Sequence, residues 1–191
     1  MDIFYATSNT TKFQEACHVL YETAADQAHY TIVQHALELD ELQGSTLRIA
    51  RHKALQAYNT LKAPVIIDDV SVHCPALGGL PGPYIRAFLE SLGEEGLYTM
   101  LSHYEDRSCH ITCTIGYLAD AHDEPAIFEG TLKATIVAPK GTLKHGKYSW
   151  NRIVQLEGCD KTVGEMTLEE FSSISPRSIA VRKFKNFLLD K

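Results

Sequence analysis

Apolar positions divide the chain into short strands and amphipathic helices that interleave. Ile3-Phe4-Tyr5-Ala6 is a compact apolar run, followed by polar Thr7-Ser8-Asn9-Thr10 and then by Phe13, Cys17 and Leu20 at helical spacing. That pattern predicts a strand, a loop and a helix. A second strand is expected around Thr31–Leu37, and a helix capped by Ser45 or Thr46 after the acidic loop Glu38–Gly44. Pro64-Val65-Ile66-Ile67 has the unbroken apolarity of an interior strand and predicts one that ends at Asp68-Asp69. Leu77–Pro83 is too rich in Gly and Pro for a regular element, and two short helices are expected after it, over about 84–92 and 94–102. Cys109–Leu118 and Ile127–Ala138, enriched in Thr, Ile and Val, predict a longer antiparallel pair. The last helix opens at Ser175 with Pro176 in its first turn and turns Ile179, Ala180, Phe184, Phe187 and Leu188 to one side. Interleaving of this kind gives an α/β class with a mixed sheet.

Composition narrows the partners. The 191 residues, 45% apolar and 22% charged, suit one globular domain or two closely packed lobes and exclude disordered, collagenous and coiled-coil chains. No apolar run approaches the roughly 20 residues of a membrane span, and the N-terminus lacks a basic region before an apolar stretch. The expectation is a soluble protein with no export signal and no membrane partner. Against 24 Asp and Glu stand 18 Lys and Arg, a net charge of -6, which disfavours a nucleic-acid polymer but leaves room for a small phosphorylated ligand. Five scattered cysteines read as reduced thiols in a cytoplasmic setting. Cys109-His110-x-x-Cys113 lies in a strand-like run without a second ligand pair, so packing explains it better than a metal.

Several positions suggest chemistry. Thr7, Ser8, Asn9, Thr10, Thr11 and Lys12 leave a strand and enter a helix, where free N–H groups, hydroxyls and an ammonium suit an anion. An ordinary N-cap with an exposed lysine would look the same. Asp68 and Asp69 would repel each other unless compensated, most simply by a divalent ion such as Mg²⁺, with Glu41 completing the set. A solvated acidic turn is the alternative. Lys53 lies near Ile49, Ala50 and Ala57 on an apolar helix side and needs an anionic partner unless it snorkels to solvent. Tyr148-Ser149-Trp150-Asn151 offers aromatics and an amide that could stack on and read a base. Arg177, at the positive end of a helix, calls for a ligand or a crossing carboxylate.

In this order, Thr7-x-Asn9-x-x-Lys12-x-x-Glu15, Glu41-x-Gln43-Gly44, Lys53, Asp68-Asp69, Ala76–Ile85 and Ser175-x-Arg177 resemble the inosine triphosphate pyrophosphatase family, from about residue 3 to residue 182 and closer to its eukaryotic branch. The resemblance implies residues 1–191 as one pyrophosphatase domain of two lobes, an elongated mixed sheet flanked by helices, and a central substrate cleft. It further implies a homodimer and Mg²⁺-dependent hydrolysis, with Mn²⁺ as a second fit, of ITP, dITP and XTP to monophosphate and pyrophosphate. By the same resemblance Thr7 to Lys12, Lys53 and Arg86 bind triphosphate, Glu41 and Asp69 hold the metal, and Asp69 directs the attacking water with Asp68 supporting it.

Departures from the family pattern fall at base-pocket positions. Tyr148-Ser149-Trp150-Asn151-Arg152 stands where the family has aromatic-Gly-aromatic-Asp-Pro, Phe171 stands for a lysine, and Ser175-Pro176-Arg177 stands for Ser-His-Arg. Loss of the lysine and histidine donors implies weaker discrimination for a 6-oxo base. Two further readings remain open: a pyrophosphatase for modified or pyrimidine nucleotides, and a nucleotide-binding protein without turnover. Retained Glu41, Asp68 and Asp69 argue against the second, because a pure binder needs no water-activating acid.

Overall fold

The computed structural model describes residues 1–22, 29–143 and 148–190. Its first half alternates strand and helix: β1 (Asp2–Ala6), α1 (Thr10–Leu20), β2 (Thr31–His35), α2 (Thr46–Leu61) and β3 (Val65–His73). Then come a short 3-10 turn at Pro75–Leu77, β4 (Pro81–Gly82), α3 (Ile85–Ser102), the long strands β5 (Ser108–Leu118) and β6 (Ala126–Ile136), and β7 (Val154–Leu156). The chain closes with α4 (Leu168–Ile174) and α5 (Pro176–Leu189). Among the described residues, none of these helices is long and apolar enough to cross a membrane.

The strands form one mixed sheet in the order β2-β1-β3-β5-β6-β7, with β4 on β3. β1 pairs parallel with β2 and β3, whereas β4 on β3 and β7 on β6 are antiparallel. Side-chain hydrogen bonds between Thr112 and Thr131 and between Thr114 and Glu129 advance on one strand as they retreat on the other, the antiparallel arrangement expected for β5 and β6.

Two compact units share the chain. One comprises Met1–Asp69, Cys113–Gly130 and Arg177–Lys191, the other Val70–Thr112 and Thr131–Pro176. In the first, Ala50, Ala54 and Ala57 of α2 pack on Val65 and Ile67 of β3 with Ala6 and Leu118. Small residues on α2 let the helix approach the strand closely. In the second, Val72, Cys74, Leu89, Leu97, Leu101, Cys109, Ile111, Ile153 and Phe171 form the core.

Several expectations are corrected. β3 does not stop at Asp68-Asp69 but continues to His73, because both charges find protein partners and the backbone stays in the ladder. The 84–92 and 94–102 helices are one run bent at Gly93, whose φ of 70° and ψ of 174° suit glycine and end the first helical stretch. The Leu77–Pro83 stretch does contain two residues of strand, Pro81–Gly82. On α1 the inward face carries Glu15, Ala16, Val19 and Leu20, rotated from the apolar stripe of Phe13, Cys17 and Leu20 because a buried arginine meets Glu15. β7 and α4 lie outside the elements that the apolar pattern predicts. The Thr167-x-x-Glu170 capping box, formed in the structure, is the sequence signal that marks α4.

Gly116 on β5 shows how closely α2 and the sheet approach. A Cβ there would lie 3.0 Å from Ile67 Cγ1 and 3.3 Å from the Ala50 carbonyl oxygen. Gly116→Val is therefore expected to lower unfolding free energy by about 1–3 kcal/mol through overpacking, measured as a reduced urea midpoint at unchanged m-value. An unchanged midpoint would show that this contact yields without cost.

Candidate active site

Strand periodicity separates the two adjacent carboxylates. Successive side chains of β3 point to opposite faces, so Asp69 joins Val65 and Ile67 on the α2 side while Asp68 points to the other. Each meets its own cations. Asp68 is sealed, with 0% of its side chain exposed, and accepts from Lys12 Nζ at 2.9 Å, Tyr5 Oη at 2.8 Å and Arg177 Nε at 2.5 Å. Lys12 also donates to the Asp68 carbonyl oxygen at 3.3 Å. Arg177 reaches across with its Nη1 to the buried Glu15 carboxylate. The outcome is a buried Lys12–Asp68–Arg177–Glu15 array fed by α1, β3 and α5.

The electrostatics follow from that packing. Burial alone would raise the Asp68 carboxyl, but Arg177 and Lys12 hold it well below the usual carboxylate range. The Tyr5 hydroxyl is pushed well up by burial and by the neighbouring Asp68 charge, so it stays a donor. Arg177 is raised despite burial because Asp68 and Glu15 flank it. The divalent ion expected to relieve Asp68-Asp69 repulsion is not needed for Asp68. Protein cations already do it. For Arg177 the crossing carboxylates answer the question left by the sequence.

On the α2 side, Lys53 Nζ lies 2.8 Å from both Asp69 and Glu41 carboxylates. Burial would depress the ammonium, yet Asp69 and then Glu41 raise its affinity for the proton. Asp69 is 23% exposed and Glu41 61%, so both carboxylates face accessible volume around a buried cation. Among the described residues no three His, Cys, Asp or Glu side chains gather into a ready metal cage. Two oxygen ligands from Glu41 and Asp69 nevertheless fit Mg²⁺, which uses one or two carboxylates and completes its shell with water and phosphate oxygens.

The loop into α1 is held by a set of local hydrogen bonds. Asn9 caps the helix by accepting from Lys12 N at 3.1 Å, Thr7 Oγ1 accepts from Asn9 N at 3.1 Å, and Gln34 donates to the Thr7 carbonyl. These bonds fix Thr7, Asn9 and Lys12. Thr10 and Thr11 carry the first N–H groups of α1 at the positive end of the helix, with Ser8 just before the cap; Ser8 and Thr10 are exposed.

The other sequence-selected residues belong to the second unit, apart from Arg177. Arg86 sits in the first turn of α3, 77% exposed at its side chain, and pairs with Glu90. Ser149 and Asn151 are buried and hydrogen-bonded to each other, and Asn151 Nδ2 donates to the Thr142 carbonyl at 2.9 Å. Trp150 stands edge-on to Phe171, ring centres 6.3 Å apart. Phe171 itself is core, and Pro176 is buried at the start of α5. Tyr148 is exposed. Arg152, where the family pattern has proline, pairs with Glu94 at 2.9 Å. Sequence reasoning missed that partner, since nothing in the spacing of residues 94 and 152 joins them.

Residues 3–187 match the Ham1 family. The chain belongs to the Ham1 family. Its relatives include the inosine triphosphate pyrophosphatase of Yarrowia lipolytica, 36% identical across 100% of this chain and 97% of the relative. That of Batrachochytrium dendrobatidis is 38% identical over 99% and 95%. The fold is shared with a Ham1 protein of Coxiella burnetii at a TM-score of 0.86, 21% identity and full coverage of both chains. A nucleoside-triphosphatase, dITP/XTP pyrophosphatase, of Mycobacterium abscessus superposes at 0.73, with 22% identity over 96% and 98% of the two chains.

In this Ham1 chain the depressed Asp68 carboxyl is a stability term with a definite sign. A folded carboxyl held below its unfolded value stabilises at pH above about 4, and that contribution disappears as pH falls. Asp68→Asn is expected to cost about 3–5 kcal/mol at pH 7, since it leaves Lys12 and Arg177 without their shared anion. It should also flatten the loss of stability between pH 5 and 3. Urea midpoints across that range check both, and equal acid sensitivity in the two proteins would remove Asp68 as its source.

Proposed function

We propose that this chain is a Mg²⁺-dependent nucleoside triphosphate pyrophosphatase that hydrolyses ITP, dITP and XTP to monophosphate and pyrophosphate and so clears deaminated purines from the nucleotide pool. The observation that carries the reading is the pair of accessible carboxylates, Glu41 and Asp69, converging on one buried ammonium, Lys53. Support also comes from full-length relatives named inosine triphosphate pyrophosphatase. Bound Mg²⁺ would offset charge on the phosphate oxygens and lower the pKa of a coordinated water.

The remaining work falls to the chain's own groups. First-turn N–H groups of Thr10 and Thr11, the hydroxyls beside them and Lys12 would hold the phosphates, with Lys12 kept in place by Asp68. Lys53 would take phosphate charge while holding Glu41 and Asp69 in register. Arg86, exposed on the first turn of α3, would supply a further phosphate contact. Asp69, partly exposed, would orient the attacking water and accept its proton, and Asp68, sealed from water, would act by positioning Lys12.

Base preference is proposed to be weakened. Phe171 places its ring in the core against Trp150, and Pro176 has no side-chain donor, so neither position offers the donor that the family pattern has at its lysine and histidine. The resemblance also supports a homodimer, which sizing chromatography with light scattering would report, and the five scattered cysteines support a reducing, cytoplasmic setting.

Pyrophosphate release across ITP, XTP, dITP, the standard triphosphates and base-modified analogues tests the activity. Asp69→Asn and Glu41→Gln are expected to fold and to lose at least about a hundredfold in kcat, and chelation should abolish turnover. Full activity in Asp69→Asn, or orthophosphate as the product, would overturn the mechanism. The ratio of ITP to ATP and GTP turnover should be lower than that of the Yarrowia lipolytica relative assayed alongside. An equal or higher ratio would reject the shift in base preference.

A further inference from the structure

Two buried thiols lie outside everything the proposed reaction uses. Cys74 and Cys109 both belong to the core of the second unit, at 0% and 1% exposure, and each thiol perturbs the proton affinity of the other. Their contact follows from strand register. Gly116 of β5 lies against Ile67 of β3, and Ser71 Oγ reaches the Thr112 carbonyl at 3.5 Å, so position rises on one strand as it falls on the other. Three residues further along, just past the end of β3 where the backbone is still extended, the same antiparallel register puts Cys74 opposite Cys109. Directly opposed residues of an antiparallel pair have Cα atoms about 4.5–5.5 Å apart, inside the range of about 4.4–6.8 Å that a disulfide spans.

We propose that Cys74 and Cys109 are a thiol–disulfide modification site, oxidised by a small peroxide to a cross-strand bridge that ties the end of β3 to the start of β5. Cys74, which opens the turn leading to exposed Leu80 whereas Cys109 lies inside β5, is the sulfur that reacts first. The neighbouring Cys109 thiol lowers Cys74, while Cys74 and then burial raise Cys109. Access comes through the turn above Cys74. Cys74 carbonyl oxygen accepts from Leu77 N and Gly79 N at 3.0 Å, but its own N–H reaches Leu80 O at only 3.3 Å, and Leu80 is exposed. Opening this turn uncovers Cys74 to an oxidant little larger than water.

The chemistry balances with the peroxide as oxidant. Cys74 thiolate attacks one peroxide oxygen, the O–O bond breaks, and the departing hydroxide takes a proton to leave as water, giving a sulfenic acid. Cys109 sulfur then attacks the sulfenic sulfur, the S–O bond breaks, and the second water leaves with the Cys109 proton. Two thiols lose two electrons together and one peroxide becomes two waters. The bridge encloses the 3-10 turn, β4 and all of α3, so it constrains a long stretch of the unfolded chain.

Full-length protein treated with hydrogen peroxide, then unfolded, alkylated and digested without reductant, should yield a Cys74–Cys109 linked peptide about 2 Da lighter than the two reduced peptides together. The oxidised protein should melt about 5 °C or more above the reduced form and return on adding dithiothreitol. Cys109→Ser and Cys74→Ser should abolish the rise. If either variant fails to fold, the wild-type peptide map decides alone. Alkylation of both thiols after peroxide treatment, Cys74 recovered as sulfinic acid, or a bridge from either residue to a different cysteine would overturn the assignment.

Discussion

The buried carboxylate of Asp68 is the constraint on which the first unit depends. A carboxylate with no exposed side-chain surface would be prohibitive if unpaired. Tyr5, Lys12 and Arg177 remove that cost together, and they come from a strand, a helix start and the opening of the last helix. Three elements distant in sequence are thereby fixed to one point of β3. Glu15 adds a second anion beneath Arg177, so the array balances two acids against two bases.

The pleat of β3 then divides labour between neighbours in the chain. Residue 68 faces inward and organises; residue 69 faces the α2 side and remains reachable. This explains how two adjacent acids coexist without sharing a proton or a metal. It also gives each a different lysine, one from the first turn of α1 and one from the interior of α2. The alanines on α2 matter here because they bring that helix close enough for Lys53 to reach the strand end of the same face.

Much of this was legible in the sequence. The interleaved pattern gave the α/β class and most elements of the first half, because helices and strands there bury one clear face. Lys53 announced its need for an anion by its apolar neighbours, and the structure supplies two. The rest depends on long-range pairing, which periodicity does not encode. Asp68-Asp69 read as a strand end because charge usually stops an interior strand, and only Lys12 and Arg177, 56 and 109 residues away, reverse that expectation. The rotated inward face of α1 and the Glu94 partner of Arg152 were hidden for the same reason. Phe171 is instructive in another way: its sequence position suggested a ligand contact, whereas its ring completes a core.

The first unit is assembled from three separate stretches, and the last begins at Arg177. During synthesis Glu15 and Asp68 therefore emerge long before the guanidinium that neutralises them. The N-terminal α/β layers have hydrophobic reasons to collapse early, and Lys12 and Tyr5 can meet Asp68 by then, but Glu15 and the rest of the Asp68 shell wait for α5 to leave the ribosome. Completion of the charge array thus waits on synthesis of α5, and a product truncated before residue 177 would retain solvent-seeking carboxylates where the folded unit has a dry interior.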